Sequence, residues 1–197
     1  MPRKKRSDDF VAHPRYGDKP RLTGLNPKED WLTGEVYLHW HSPTEVRVPN
    51  TAIAADTSRQ HQPTIAVTHY FDSRRRCVDC RHSFLFFAAE QKYWYEALGF
   101  PLESNCVRCV PCRKKQRGLE AQRQRYEDLF EIEDRTADQD IELVESALTL
   151  VAAGVFGTRT LERMRSILKR AEPHRKLEGL WHRLREIELS QQVGSPQ

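Results

Sequence analysis

Cysteines at 77, 80, 106, 109 and 112 are the residues whose type and spacing point to chemistry. Cys77-Val78-Asp79-Cys80 is a Cys-x-x-Cys turn, a local geometry that brings two thiolates onto one face of a tight loop. Residues 81–108 separate it from Cys109-Val110-Pro111-Cys112, and Cys106-Val107-Arg108-Cys109 overlaps that second pair. Two such turns that meet make a tetrahedral site with zinc–sulfur distances near ~2.3 Å. Zinc is favoured over an iron–sulfur cluster because the pairs stand apart, without the closely spaced cysteine run of a ferredoxin. Four thiolates leave no open position for water or substrate, so such a metal is a staple rather than a catalyst. One of the three downstream cysteines is then spare, and spacing alone does not say which. His82 is a nearby alternative donor, and His39 and His41 share one face of an expected strand without a third ligand in reach. No Ser/His/acid or Cys/His arrangement, no phosphate-cradling glycine loop and no His-based nuclease metal site is recognisable. The chain reads as not an enzyme.

The spacer between the pairs must hold structure of its own. Phe84–Phe87 reads as a short strand, and Ala88–Leu98 as a helix of good helix formers, stopped by Gly99 with Pro101 just beyond. Upstream, the alternating stretch 65–71 leads a strand into the first pair. Residues 35–48 alternate weakly and suggest a short hairpin around His41-Ser42-Pro43, with its length limited by Pro43 and Pro49. Residues 49–64 read as loop, and 1–34, rich in Pro, Gly and charge, as a mobile tail that includes the basic run Arg3–Arg6.

The stretch from about His69 to Arg117 resembles a family of bacterial zinc-ribbon domains. Four motifs occur in order: Cys77-Val78-Asp79-Cys80, the strand Phe84–Phe87, the helix motif Glu90-Gln91-Lys92-Tyr93-Trp94-Tyr95-Glu96, and Arg108-Cys109-Val110-Pro111-Cys112-Arg113. The resemblance implies zinc ligands at Cys77, Cys80, Cys109 and Cys112, because Arg108 and Arg113 flank the last pair, and it leaves Cys106 without a metal role. Two positions depart from the family's habit: Phe87 stands where a helix-capping Thr is common, and Arg81 where Gly is common. The resemblance implies zinc binding and no defined activity.

Around this site lie aromatics and cations. Tyr93, Trp94 and Tyr95 are consecutive and so span ~200° of a helix surface. Trp94 shares a face with Phe87, Gln91 and Leu98, which leaves Tyr93 or Tyr95 for the surface. An exposed tyrosine beside Arg74, Arg75, Arg76, Arg113, Lys114, Lys115 and Arg117 would suit base stacking with phosphate contacts. Residues 113–125 hold six cations against Glu120, a net of +5; residues 127–145 hold nine acids against Arg135, a net of −8, which can neutralise the basic run within the fold. Beyond them, Ile141, Val144, Leu148, Val151 and Val155, then Leu161, Met164, Leu168 and Ala171, then Leu177, Leu180, Trp181, Leu184 and Ile187 recur at helical spacing.

Composition bounds the rest. The 197 residues are 30% charged and 38% apolar with a net charge of +4, too mild for the whole chain to be a nucleic-acid-binding cation. The longest apolar stretch, Leu148–Phe156, is too short to span a bilayer, and no apolar run follows the basic start. Clustered cysteines without an export signal suggest a reducing, cytoplasmic setting. The expected fold is α+β: a small zinc ribbon of two Cys-x-x-Cys knuckles with short strands and an intervening helix, plus a C-terminal helical region. The expected boundaries are 1–64 for tail, loop and hairpin, 65–118 for the ribbon, 119–190 for the helices and 191–197 for a disordered tail. The function this supports is a zinc-stapled module that binds nucleic acid. The other reading is a protein–protein adaptor that uses the C-terminal helices. No membrane is implied, and the oligomeric state is open.

Overall fold

A computed structural model of the chain describes residues 9–30, 32–61, 63–171 and 176–193. The basic run Arg3–Arg6 and residues 194–197 lie outside them. The chain divides into two compact units, Met1–Arg113 and Lys114–Gln197. The division falls inside one helix rather than at 118.

The first unit is built on two small antiparallel pairs. β1 (Ile53–Ala54) pairs with β2 (His69–Tyr70), and β3 (Ser73–Arg76) pairs with β4 (Ser83–Phe86) in the register Ser73↔Phe86 to Arg76↔Ser83. In β4, Phe84, Leu85 and Phe86 are all buried, so the strand needs cover on both faces. Leu85 packs with Phe87 and Val48 beneath Phe10 and Tyr16, while Phe84 and Phe86 pack with Val11, Trp94 and the cysteines. The Val11 amide donates to the Ser83 carbonyl at 2.8 Å, extending the sheet. The mobile tail expected over 1–34 is therefore wrong from residue 9 to residue 30. Phe10, Val11 and Tyr16 have no local period and find their partners only in the distant hairpin.

The hairpin expected over 35–48 does not form either. Val36 bridges to Asp30, Leu38 to His69 and Arg47 to Ser73, so this segment pairs outward with other elements. Pro43 and Pro49 lack the amide donors a self-paired hairpin would need.

Helix α1 (Ala88–Lys92) runs directly into a π-helical turn, Tyr93–Ala97. Gly99, at φ +66°, ends it, as its lack of a Cβ allows. Phe87 at the N-cap makes no side-chain capping bond and is buried instead. Asp72 takes over from a distance: its Oδ1 accepts from the Ala88 amide at 2.7 Å and its Oδ2 from the Arg21 amide at 2.8 Å.

Helix α2 (Val110–Phe130) begins in the first unit and continues into the second. Three further helices follow: α3 (Ala137–Ala152), α4 (Arg159–Arg170) and α5 (Leu177–Val193). Thr136 and Gln139 form a capping box at the start of α3. The three predicted stripes meet in one core with Leu129: Ile141, Val144, Leu148 and Val151, Leu161, Met164 and Leu168, Leu180, Leu184 and Ile187. Val155 is the exception, being exposed after the stop at Gly154. Buried Asp140 is held by Arg135 at 2.8 Å and Arg170 at 2.7 Å. The tail expected from 191 begins inside α5. Among the described residues no helix is long and apolar enough to cross a membrane.

Candidate metal centre

Cys77 and Cys80 lie on the turn that joins β3 to β4. The Cys77 amide donates to the His82 carbonyl at 2.9 Å, and the Arg81 amide returns to the Cys77 carbonyl at 3.0 Å, closing the knuckle. Cys109 immediately precedes α2 and Cys112 occupies its first turn, where the Arg113 amide donates to the Cys109 carbonyl at 3.0 Å. The second pair thus sits at a helix start. Arg108 clips the two pairs together, its Nε donating to both carboxylate oxygens of Asp79 at 3.0 and 3.1 Å. The Val78 amide adds a bond to the Val107 carbonyl at 3.0 Å.

The sulfurs of Cys77, Cys80, Cys109 and Cys112 all lie within 4.8 Å of one another, and all five cysteines are free. Cys80 Sγ and Cys109 Sγ are 3.7 Å apart. A tetrahedron with bonds of ~2.3 Å has edges of about 3.8 Å, so this donor set fits a zinc-sized ion. The thiols titrate against each other: burial raises Cys77, but the Cys80, Cys109 and Asp79 amides and the Cys80 thiol outweigh it and bring it down to about 6. Hydrogen bonding to Cys109, with burial, pushes Cys112 up to about 12. A bound dication would reverse that conflict, since coordination deprotonates thiols outright.

Cys106 stands apart from this set. It is fully buried, its Sγ lies 3.5 Å from the Arg108 carbonyl, and burial pushes its thiol up to about 12. His82 is exposed and outside the cluster, and His39 and His41 assemble no metal group among the described residues.

The helix motif that carries the resemblance is internal. Glu90 accepts from Arg113 at 2.6 Å, with His13 at 3.5 Å, and the Arg113 guanidinium lies 5.0 Å from the Trp94 ring centre. Gln91 Nε2 donates to the Phe86 and Phe71 carbonyls at 2.9 and 2.6 Å. Tyr95 is 1% exposed and donates to the Ser104 carbonyl at 2.6 Å. These residues tie α1 to the hairpin and to the start of α2.

That changes the expected nucleic-acid contacts. Tyr95 has no face left for a base, and Tyr93, 49% exposed, is the tyrosine at the surface. Arg75 is half-buried and donates to the His41 carbonyl, and Arg113 is committed to Glu90, so neither reaches out to phosphate. Arg74 and Arg76 are exposed on β3, as are Lys114, Lys115 and Arg117 on α2. Sequence reasoning missed Arg15, Arg21, Arg59 and Lys92, which line one open cleft with Tyr93, because they are scattered along the chain.

Residues 71–121 match the model of a protein family described as "Probable treble clef domain". The geometry agrees: one cysteine pair on a hairpin turn and the other at the start of the following helix is the treble-clef arrangement, and this segment is a metal-binding domain of that class. No curated protein and no solved structure matches the chain.

Proposed function

We propose that this chain is a non-catalytic, zinc-stapled module that binds nucleic acid in a reducing, cytoplasmic compartment. Zinc is the ion best suited to four thiolates in a closed tetrahedral site. The observation that carries the nucleic-acid reading is α2. Among its 21 residues only Leu129 is buried, and Lys114, Lys115 and Arg117 are exposed with no ion-pair partner among the described residues. Farther along, Arg123 pairs with Glu127 and Arg125 with Glu142, so the acidic block neutralises the end of the basic run and leaves its start free. A helix that is polar nearly all round leaves its cations open to a partner.

The adaptor reading rested on the C-terminal stripes. Those stripes are buried in the core of the second unit, which counts against that reading and leaves it the acidic block.

Fluorescence anisotropy with labelled single- and double-stranded oligonucleotides tests the proposal. Binding should be strong at low salt and fall steeply as salt rises. A Lys114→Glu/Lys115→Glu/Arg117→Glu variant should bind more weakly. Absence of binding to any nucleic acid at low salt would refute the reading. Metal analysis of the same protein should find one zinc per chain.

A further inference from the structure

The first unit carries a second basic surface, and it is built around the exposed tyrosine. An open cleft of about 420 Å³ is lined by Arg15, Tyr16, Arg21, Arg59, Lys92 and Tyr93, with Glu96 as the acid at its wall. That volume lies within the ~300–1,000 Å³ of ordinary ligand sites. Two features set it apart from a solvated charged patch.

The first is how the cations are held. The guanidinium carbons of Arg15 and Arg21 each stand 5.5 Å from the centre of the same Tyr16 ring. That ring is itself fixed, stacked on His13 at 4.6 Å and tilted against Phe87 at 5.3 Å. Two like charges are thus gathered on one aromatic support, and neither forms an ion pair with a carboxylate among the described residues. The acids around the cleft already accept hydrogen bonds, and two of them partly offset its cations: Asp72 feels the charge of Arg21, and exposed Asp56 that of Arg59 and Lys92. Glu96 is buried and accepts from the Asp56 amide at 2.8 Å, with Lys92 Nζ at 3.6 Å. Asp56 accepts from the Ser58 amide and hydroxyl at 3.1 and 2.6 Å, and buried Asp72 accepts the Arg21 and Ala88 amides.

The second is Tyr93. It lies on the π-helical turn, where Trp94 and Tyr95 point into the protein and Tyr93 is left half-exposed at the edge of the cleft. A half-exposed aromatic face beside arginines that form no carboxylate ion pair among the described residues is the combination that binds single strands: a base stacks on the ring while phosphates meet the charges. A duplex offers no unstacked base to the ring, and an acidic peptide gains nothing from it.

We infer that this cleft is a single-strand site, in which Tyr93 stacks a base and Arg15, Arg21 and Arg59 hold the flanking phosphates. The inference rests on the nucleic-acid reading above but places base recognition in the first unit, on residues other than the exposed cations of α2.

The test uses the full zinc-loaded chain and a fluorescein-labelled twelve-nucleotide oligo(dT), with a duplex of equal length as comparison. Tyr93→Ala should weaken single-strand binding about tenfold, the order expected for a lost stacking contact, while Tyr93→Phe stays within about twofold. An Arg15→Ser/Arg21→Ser/Arg59→Ser variant should lower the slope of log affinity against log salt by about 2, at ~0.7 per phosphate contact. These side chains are on the surface, so each variant should keep one zinc and the wild-type denaturation midpoint. Wild-type binding by Tyr93→Ala and by the triple arginine variant, with loss only in Lys114→Glu/Lys115→Glu/Arg117→Glu, overturns the cleft and leaves the nucleic-acid reading standing. Competition by polyglutamate as effective as by unlabelled oligo(dT) also overturns it, since charge alone would then explain the site. A wild-type protein that binds neither probe at low salt overturns both.

Discussion

Arg81 follows the second thiol of the knuckle with a backbone φ of +62°, in the left-handed region that a side chain resists. Its amide bonds back to Cys77 and its carbonyl accepts from Arg76 Nε at 3.0 Å, so the knuckle requires this conformation. That explains why Gly is common at this position in the family. Arg81→Gly should raise the unfolding free energy by about 1 kcal/mol in chemical denaturation, because the strain of the Cβ exceeds the added freedom of the unfolded chain. His39 offers a second measurement. It is buried, stacked on Trp40 at 4.8 Å and Tyr95 at 5.2 Å, and its Nδ1 accepts from the His41 amide at 3.1 Å. Burial, with the neighbouring His41, lowers its pKa from 6.5 to about 4. The unfolded chain therefore binds the extra proton first. The stability this contributes is whole above pH 6.5, drains as pH falls from there and is gone below the folded value. Between pH 7.5 and 5 the wild type should lose about 2 kcal/mol more than His39→Phe, measured by denaturation of the zinc-loaded proteins.

At the scale of elements, the strut from α1 to α2 matters most to the metal centre. Glu90 and Arg113 are mostly buried, with the guanidinium over the Trp94 ring and His13 Nε2 beside the same Glu90 oxygen, Oε1, that accepts from Arg113. Removing one member of such a pair strands the other charge. Glu90→Ala should cost about 3 kcal/mol of unfolding free energy. Arg123→Ala, which breaks an exposed pair on α2, should leave the denaturation midpoint where it was. Helices α3, α4 and α5 were legible because each has one buried stripe at helical spacing. Helix α2 was not, since a helix with one buried residue has no stripe to read. Phe87 and Asp72 make a similar point: a buried residue sits at the N-cap, and the cap is supplied by Asp72 from the link between β2 and β3, where no local motif records it.

At the scale of the molecule, each unit has its own core, and the core of the second unit contains no cysteine. Metal therefore staples one unit only. Chelation at neutral pH should abolish amide protection across the β3–β4 hairpin and α1, while α3, α4 and α5 keep slow exchange and helical circular dichroism. Hydrogen exchange read by mass spectrometry distinguishes this from global unfolding, which would melt both units together. Cys77→Ser or Cys112→Ser should reproduce the chelated pattern, and Cys106→Ser should retain zinc.

By itself the sequence determined the first cysteine pair and the three C-terminal helices, because a Cys-x-x-Cys turn and an amphipathic stripe are both encoded by near neighbours. With the family resemblance it also separated Cys106 from the ligands. Only the tertiary structure decided which charges and rings face solvent. Tyr95, Arg75 and Arg113 are drawn inward by their partners, while Tyr93 is left outside in a cleft it shares with Arg15, Arg21 and Arg59. Exposure depends on what packs on top of a residue, and here that cover comes from segments with no periodicity of their own.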